Sequence, residues 1–262
     1  MVTEELVPST WGTFWDHFGE TLVRLLEIKD GSNVLDIGTG GGANLYPAAK
    51  RVGETGSVTS VELCEHCVNK ANGEIQRCSI SNAEVLLKDA CETGFPDSNF
   101  DYVIAGFIGW DDYFDFKKGE FVADDVLTKE ILRVLKPGGY FGLSTWLNQE
   151  DLDWMKRFLN SHDIECRTNY HAEHEEGWRI IMKDKGLINL RFVVEIFYYT
   201  YPSVDNWWKE MMDYNWIEDK ENGEFITSDI KSDARGAIKE HMTGDGGVRF
   251  SRTAIFMTAE KI

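Results

Sequence analysis

Residues 34–42, Val-Leu-Asp-Ile-Gly-Thr-Gly-Gly-Gly, put a carboxylate, Asp36, two positions before a turn built almost entirely of glycine. Glycine has no Cβ, so ligand atoms can approach the backbone of such a turn. Where the turn opens a helix, it also offers its free N–H groups. The spacing Gly38-x-Gly40-x-x-Ala43, with the acidic Glu62 roughly 20 residues further on, satisfies the fingerprint of a dinucleotide site. A nicotinamide-dependent oxidoreductase is therefore one reading of these residues.

Asp36 favours another. A pyrophosphate over this turn would face a like charge in a poorly screened cleft, whereas an ammonium group would be attracted. S-adenosylmethionine has an ammonium at its methionine end, a sulfonium in the middle and no phosphate. The remaining polar positions suit it. Glu62 can accept charge-assisted hydrogen bonds from both ribose hydroxyls. Leu63 would lie on one adenine face. Asp89 can accept from the adenine amino group, with the backbone of Ala90 beside the ring.

Two other constellations carry chemistry in principle. Cys64-Glu65-His66-Cys67 has the spacing of a redox or zinc half-site, but no second pair stands at suitable spacing. His171 and His174 could share a helical face and lack a third ligand, so no metal is expected. His17, His171, His174, Asp111 and Asp112 could serve as a general base, and no spacing singles one out.

These residues need elements to hold them. Apolar runs predict strands at Asn33–Ile37, Ser57–Glu62, Ala83–Leu87, Tyr102–Ala105, Tyr140–Thr145, Ile188–Tyr199 and Arg249–Glu260. Helical periodicity falls at about 9–28, 43–51, 65–76, 124–135, 151–159 and 173–185, and over most of 203–243. Lys136-Pro137-Gly138-Gly139 reads as a turn. Strands that are nearly all apolar and alternate with helices indicate a parallel sheet covered on both faces. The expected organisation is one domain over residues 1–262. It has a helical cap (1–30), a cofactor-binding core (31–146) and a helical lid insertion (199–247).

The blocks VLDIGTGGGA, VTSVEL, LLKDA, FPDSNFDYVIAGF and ILRVLKPGGYFGLSTW occur in order over about residues 30–146. In them the chain resembles the class I S-adenosylmethionine-dependent methyltransferases of the ubiquinone/menaquinone-methyltransferase-like group. The resemblance implies an α/β, doubly wound, mostly parallel seven-stranded sheet with an antiparallel last strand. It also implies that Asp36, Gly38 and Gly40, with Thr39 between them, surround the methionine part of the cofactor, Glu62 its ribose and Asp89 its adenine. Gly106 follows the fourth strand, and the loop from Gly106 to Tyr113 is the expected acceptor side.

Beside that loop, the cap and lid hold much of the aromatic stock, including Trp207, Trp208, Tyr214 and Trp216. Trp11, Trp15, Trp110 and Tyr199 are the expected acceptor contacts, suited to an apolar or aromatic small molecule. The alternatives are an NAD(P)-dependent oxidoreductase and a methyltransferase fold that binds without catalysis.

The bulk composition limits the partners. A net charge of −18 repels phosphate backbones and anionic lipid, so neither nucleic acid nor membrane is expected. The start, MVTEELVPST, has no signal-peptide pattern, and five scattered cysteines suit a reducing cytoplasm. Nothing in the sequence speaks to oligomeric state.

Overall fold

The strands and helices read from the sequence are realised in a computed structural model that describes residues 14–164, 172–213 and 228–262. The strands are β1 (Asn33–Ile37), β2 (Ser57–Glu62), β3 (Ala83–Leu87), β4 (Phe100–Gly106), β5 (Phe114–Asp115), β6 (Glu120–Phe121), β7 (Leu135–Gln149), β8 (Leu187–Tyr201) and β9 (Val248–Lys261). The helices are α1 (Phe14–Leu25), α2 (Leu45–Val52), α3 (Glu65–Arg77), α4 (Val126–Val134), α5 (Glu150–Ser161), α6 (Glu175–Met182), α7 (Val204–Asp213) and α8 (Ser228–Ala237), the last running into a 3-10 turn at Ile238–His241.

Seven strands form one mixed sheet in the order β3-β2-β1-β4-β7-β9-β8, antiparallel at the β9/β8 end. The centre is parallel: Leu35 pairs with Thr59 of β2 on one side and Val103 of β4 on the other. β1 can occupy the middle because four of its five residues are buried, as a strand covered on both faces requires. The chain leaves β1 toward β2 and β3 and returns to place β4 on the opposite side. That reversal makes the carboxyl ends of β1 and β4 the switch point at which open α/β sheets bind ligands.

Two sequence expectations are revised. The turn at Lys136–Gly139 does not precede the strand. It bulges out of β7, whose pairing jumps from Leu135 opposite Phe100 to Tyr140 opposite Tyr102. Lys136 holds the bulge by donating to Asp101 Oδ1 at 2.7 Å. The small antiparallel hairpin of β5 and β6 gave no periodic signal, because two residues per strand are too few to alternate. The expected helix at 173–185 is shorter because His174 caps it, Nδ1 accepting from the Gly177 N–H at 3.1 Å. Of the residues expected to be helical at 203–243, those from 214 to 227, with Tyr214 and Trp216, lie outside the described residues.

The chain divides into two compact units. One comprises Met1–Thr145, Glu173–Val193 and Ile255–Ile262; the other comprises Trp146–Ala172 and Val194–Ala254. The first unit buries Leu35, Ile37, Val103, Phe141 and Leu143 of the sheet against Ile131 of α4 and Trp178 of α6. The second packs α5, α7 and α8 on Tyr201, Val248 and Phe250. Trp207 and Trp208 are core residues of this second unit, Trp207 packing edge-on against Trp154 at 5.2 Å. Within the same unit Asp151 and Arg252 form a buried ion pair, which Tyr201 supports by donating to Asp151 Oδ2 at 2.8 Å. No helix among the described residues is long and apolar enough to cross a membrane.

Candidate cofactor cleft

The first unit contains a cleft of about 350 Å³, within the range of small-molecule sites. Its floor is the turn Gly38–Gly41 with Ala43 and Asn44, and its walls are α1, through Trp15, Asp16, Phe18 and Gly19, and the loop Gly106–Ile108. The turn after β1 depends on its glycines. Gly38 and Gly40 have φ of +70° and +49°, in the left-handed region that a side chain disfavours. Space above Gly40 is open, with no atom within 4 Å of where a Cβ would stand.

Asp36 lies beneath this turn, fully buried. Ser60 Oγ donates to its Oδ2 at 2.9 Å and Asn44 Nδ2 approaches its Oδ1 at 3.4 Å. Burial pushes its carboxyl up to about 6, against hydrogen bonds from Thr39, Ser60 and Asn44. Asp36 does not itself line the cleft; it meets the floor through Asn44, the residue that precedes α2. Sequence reading passed over Asn44. The available signal was an amide at a helix N-cap, where its side chain makes no cap hydrogen bond and turns to Asp36 instead.

Glu62, at the end of β2, joins this floor. The Gly40 N–H donates to Glu62 Oε2 at 3.0 Å and the Cys64 N–H to Oε1 at 2.9 Å. Each carboxylate oxygen keeps a second acceptor site for a ligand hydroxyl. Leu63 is 69% exposed beside it. The Lys88 N–H donates to the Glu62 carbonyl at 3.1 Å, bringing the β3 loop with Asp89 and Ala90 to the same strand end. Asp89 is exposed, and its Oδ1 accepts from the Cys91 N–H at 2.8 Å. The structure thus brings Asp36, Gly38, Thr39, Gly40, Glu62 and Gly106 together around one turn, with Leu63, Asp89 and Ala90 on the adjoining strand ends.

The loop after β4 behaves differently from expectation. Trp110 was expected among the acceptor contacts; it is only 2% exposed and belongs to the core. Its Nε1 donates to Thr128 Oγ1 at 3.1 Å and its ring packs edge-on to Trp178 at 4.9 Å. Phe107 and Ile108 line the cleft instead. Phe107 has φ +54°, an uncommon conformation for a bulky residue, fixed by its N–H donating to the Ser144 carbonyl at 2.7 Å. That twist sets the Phe107 ring 5.5 Å from Trp15 and 5.0 Å from Phe18. Nothing in the sequence marks a phenylalanine for positive φ. Trp15, 44% exposed, does stand at the cleft, as expected. Trp11 and His171 lie outside the described residues. Tyr199 belongs to the second unit, edge-on to Tyr201 at 4.6 Å.

A buried acid also escaped sequence reading. Glu173, 4% exposed, accepts from the Trp110 N–H through Oε1 at 3.1 Å, and the Thr145 side chain also hydrogen-bonds its carboxyl. Burial pushes this carboxyl up to about 7, with the charge of Asp111 acting in the same direction.

The cleft passes an independent test for a nucleoside cofactor. Thr39, in the middle of the glycine turn, is buried, and its side-chain hydrogen bond favours the charged form of the Asp36 carboxyl. Beside it the open face of Gly40 is a cradle that a Cβ would fill. An open backbone at a glycine turn fits a polar ligand head held there.

Comparison with known proteins gives the family. A family model described as a methyltransferase domain matches residues 28–211. Aklanonic acid methyltransferase from Streptomyces sp. is 35% identical over 94 residues, covering 36% of this chain and 43% of its own length. Demethylmenaquinone methyltransferase from Listeria welshimeri is 31% identical over 140 residues, covering 53% and 55%. The chain thus spans about half the length of the curated relatives it matches. The solved YcgJ protein from Bacillus subtilis superposes with a TM-score of 0.58 at 20% identity, covering 94% of this chain and 98% of that one, a likeness of fold.

Proposed function

This chain belongs to the S-adenosylmethionine-dependent methyltransferases, and we propose that it transfers a methyl group from that cofactor to a small-molecule acceptor by in-line displacement. Family membership sets aside the oxidoreductase reading. The observation that carries the proposal is the pairing of Glu62 with the Gly40 N–H, which supports a ribose-accepting role for a carboxylate at the edge of the glycine turn.

When bound, the cofactor supplies a methyl group on a sulfonium that loses its positive charge as the methyl leaves. The chain's own part is alignment. Asn44 and the Gly38–Gly40 turn hold the methionine end, Asp36 biasing Asn44 from below. Glu62 takes the ribose hydroxyls, and Leu63, Asp89 and Ala90 the adenine. On the acceptor side Trp15, Phe18, Phe107 and Ile108 give apolar walls that exclude water and favour an apolar or aromatic acceptor. Alignment of this kind can supply several kcal/mol, up to roughly 7–11, of the barrier reduction. The two curated relatives, both named as methyltransferases of small molecules, support the same acceptor class.

Calorimetry with S-adenosylhomocysteine tests the cofactor half. Glu62→Ala removes two charge-assisted acceptors and should weaken binding at least about tenfold. Wild-type affinity in that variant would remove the ribose role from Glu62. Turnover on an acceptor distinguishes an enzyme from a fold that binds the cofactor without using it.

A further inference from the structure

The strand that ends in Glu62 runs on through Leu63 into a second feature with chemistry of its own. Cys64 is the N-cap of α3, a position usually held by Ser, Thr, Asp or Asn. Its Sγ accepts from the Cys67 N–H at 3.3 Å. Cys64 is exposed and Cys67 half-buried, so a reagent in solution meets Cys64 first. From this geometry we infer that Cys64 and Cys67 form a thiol–disulfide exchange pair, with Cys64 the attacking sulfur and Cys67 the resolving one.

Three physical arguments support the assignment. A helix N-terminus stabilises negative charge, and a thiolate is a better cap acceptor than a thiol. The Cys67 side chain donates to Cys64, and the Cys67 backbone N–H adds to it. Together they hold the Cys64 thiol below its ordinary value, while the same interaction pushes Cys67 up. The charged groups facing the pair are Glu62, which opposes a thiolate on either sulfur, and Lys70, which favours one on Cys67. Cys91 is the internal contrast. Burial pushes its thiol up, and its Sγ lies 3.1 Å from the Tyr113 hydroxyl.

The reaction needs an oxidant of the small-molecule disulfide class. The Cys64 thiolate attacks one sulfur of that disulfide, forming a mixed disulfide and releasing one thiolate. Cys67 gives its proton to solvent and attacks the Cys64 sulfur, closing the intramolecular bond and expelling the second thiolate. Two protein thiols are oxidised, and one disulfide is reduced to two thiols. The inference stands apart from the methyl-transfer reading, because exchange requires no cofactor.

Glutathione disulfide is the probe, applied to the folded chain near neutral pH, with the products read by peptide mass. The expected product is a Cys64–Cys67 disulfide without a retained glutathione. Cys67→Ser should instead accumulate glutathione on its residue 64 thiol, and Cys64→Ser should leave Cys67 unmodified. Iodoacetamide should label Cys64 at least about tenfold faster than Cys91 in the wild type, and that lead should shrink in Cys67→Ser. A persistent glutathione adduct on wild-type Cys64 would overturn the pair, as would labelling of Cys64 and Cys91 at equal rates.

Discussion

Gly19→Ala should unseat helix α1 and weaken S-adenosylhomocysteine binding at least about tenfold. A Cβ on Gly19 would stand 1.7 Å from the carbonyl oxygen of Ala43 and 2.4 Å from its carbon. Both are backbone atoms of the turn that opens α2, so no rotamer change relieves the clash. Ordinary contact between such atoms is about 3.5 Å, and the helix must retreat by more than an ångström to restore it. Trp15, Asp16 and Phe18 would move with it, away from Gly38 and Gly40. Overpacking of this kind costs about 3 kcal/mol where backbone is the obstacle. Helix propensity acts with the opposite sign, since alanine is favoured over glycine by about 1 kcal/mol in a helix interior. Urea unfolding decides between them: a stabilised variant with wild-type affinity would show that α1 does not rest on the turn.

Raising the pH through neutrality should destabilise the wild-type protein far more than Glu173→Gln. The Glu173 carboxyl moves from 4.5 in the unfolded chain to about 7 in the fold, chiefly because burial penalises its charge. Between those values the folded state holds the proton and the unfolded state has released it. This contribution is fully present below about 4.5, is lost as pH rises to about 7, and levels off above it. The difference integrates to roughly 3 kcal/mol for a group this deeply buried. Glutamine keeps the acceptor for the Trp110 N–H and cannot ionise, so the variant should keep only the smaller slope that Asp36 imposes in the same direction. Urea midpoints at mildly acidic and mildly alkaline pH test this, and equal slopes in the two proteins would exclude Glu173 as the titrating group. The consequence reaches the cleft, because Glu173 holds the loop that presents Phe107 and Ile108.

The core strands were legible because each signal was local. Asn33–Ile37, Ser57–Glu62 and Ala83–Leu87 form where their apolar runs stand, although only the central Asn33–Ile37 is buried along most of its length and Ala83–Leu87 lies at the sheet edge. The glycine turn, Glu62 and the strand ends with Asp89 and Gly106 could be placed for the same reason: they sit at fixed offsets from those strands. The sequence also singled out Asp36, although only the folded chain shows that it lies beneath the turn, against Asn44.

The cleft wall was not legible. Choosing among the aromatic residues of a loop requires knowing which way the backbone turns. Phe107 lines the cleft because the Ser144 carbonyl fixes a positive φ, and Trp110 faces the core because Thr128 and Trp178 receive it. Glu173 lies 63 residues from the N–H it binds, a contact that no periodicity reports. By itself, then, the sequence determined the sheet, the turn and the class of cofactor, all of which follow from residues near one another in the chain. Tertiary structure alone decided which rings wall the cleft and which acid is buried behind it. Those choices depend on burial and hydrogen bonds between segments that only folding brings together.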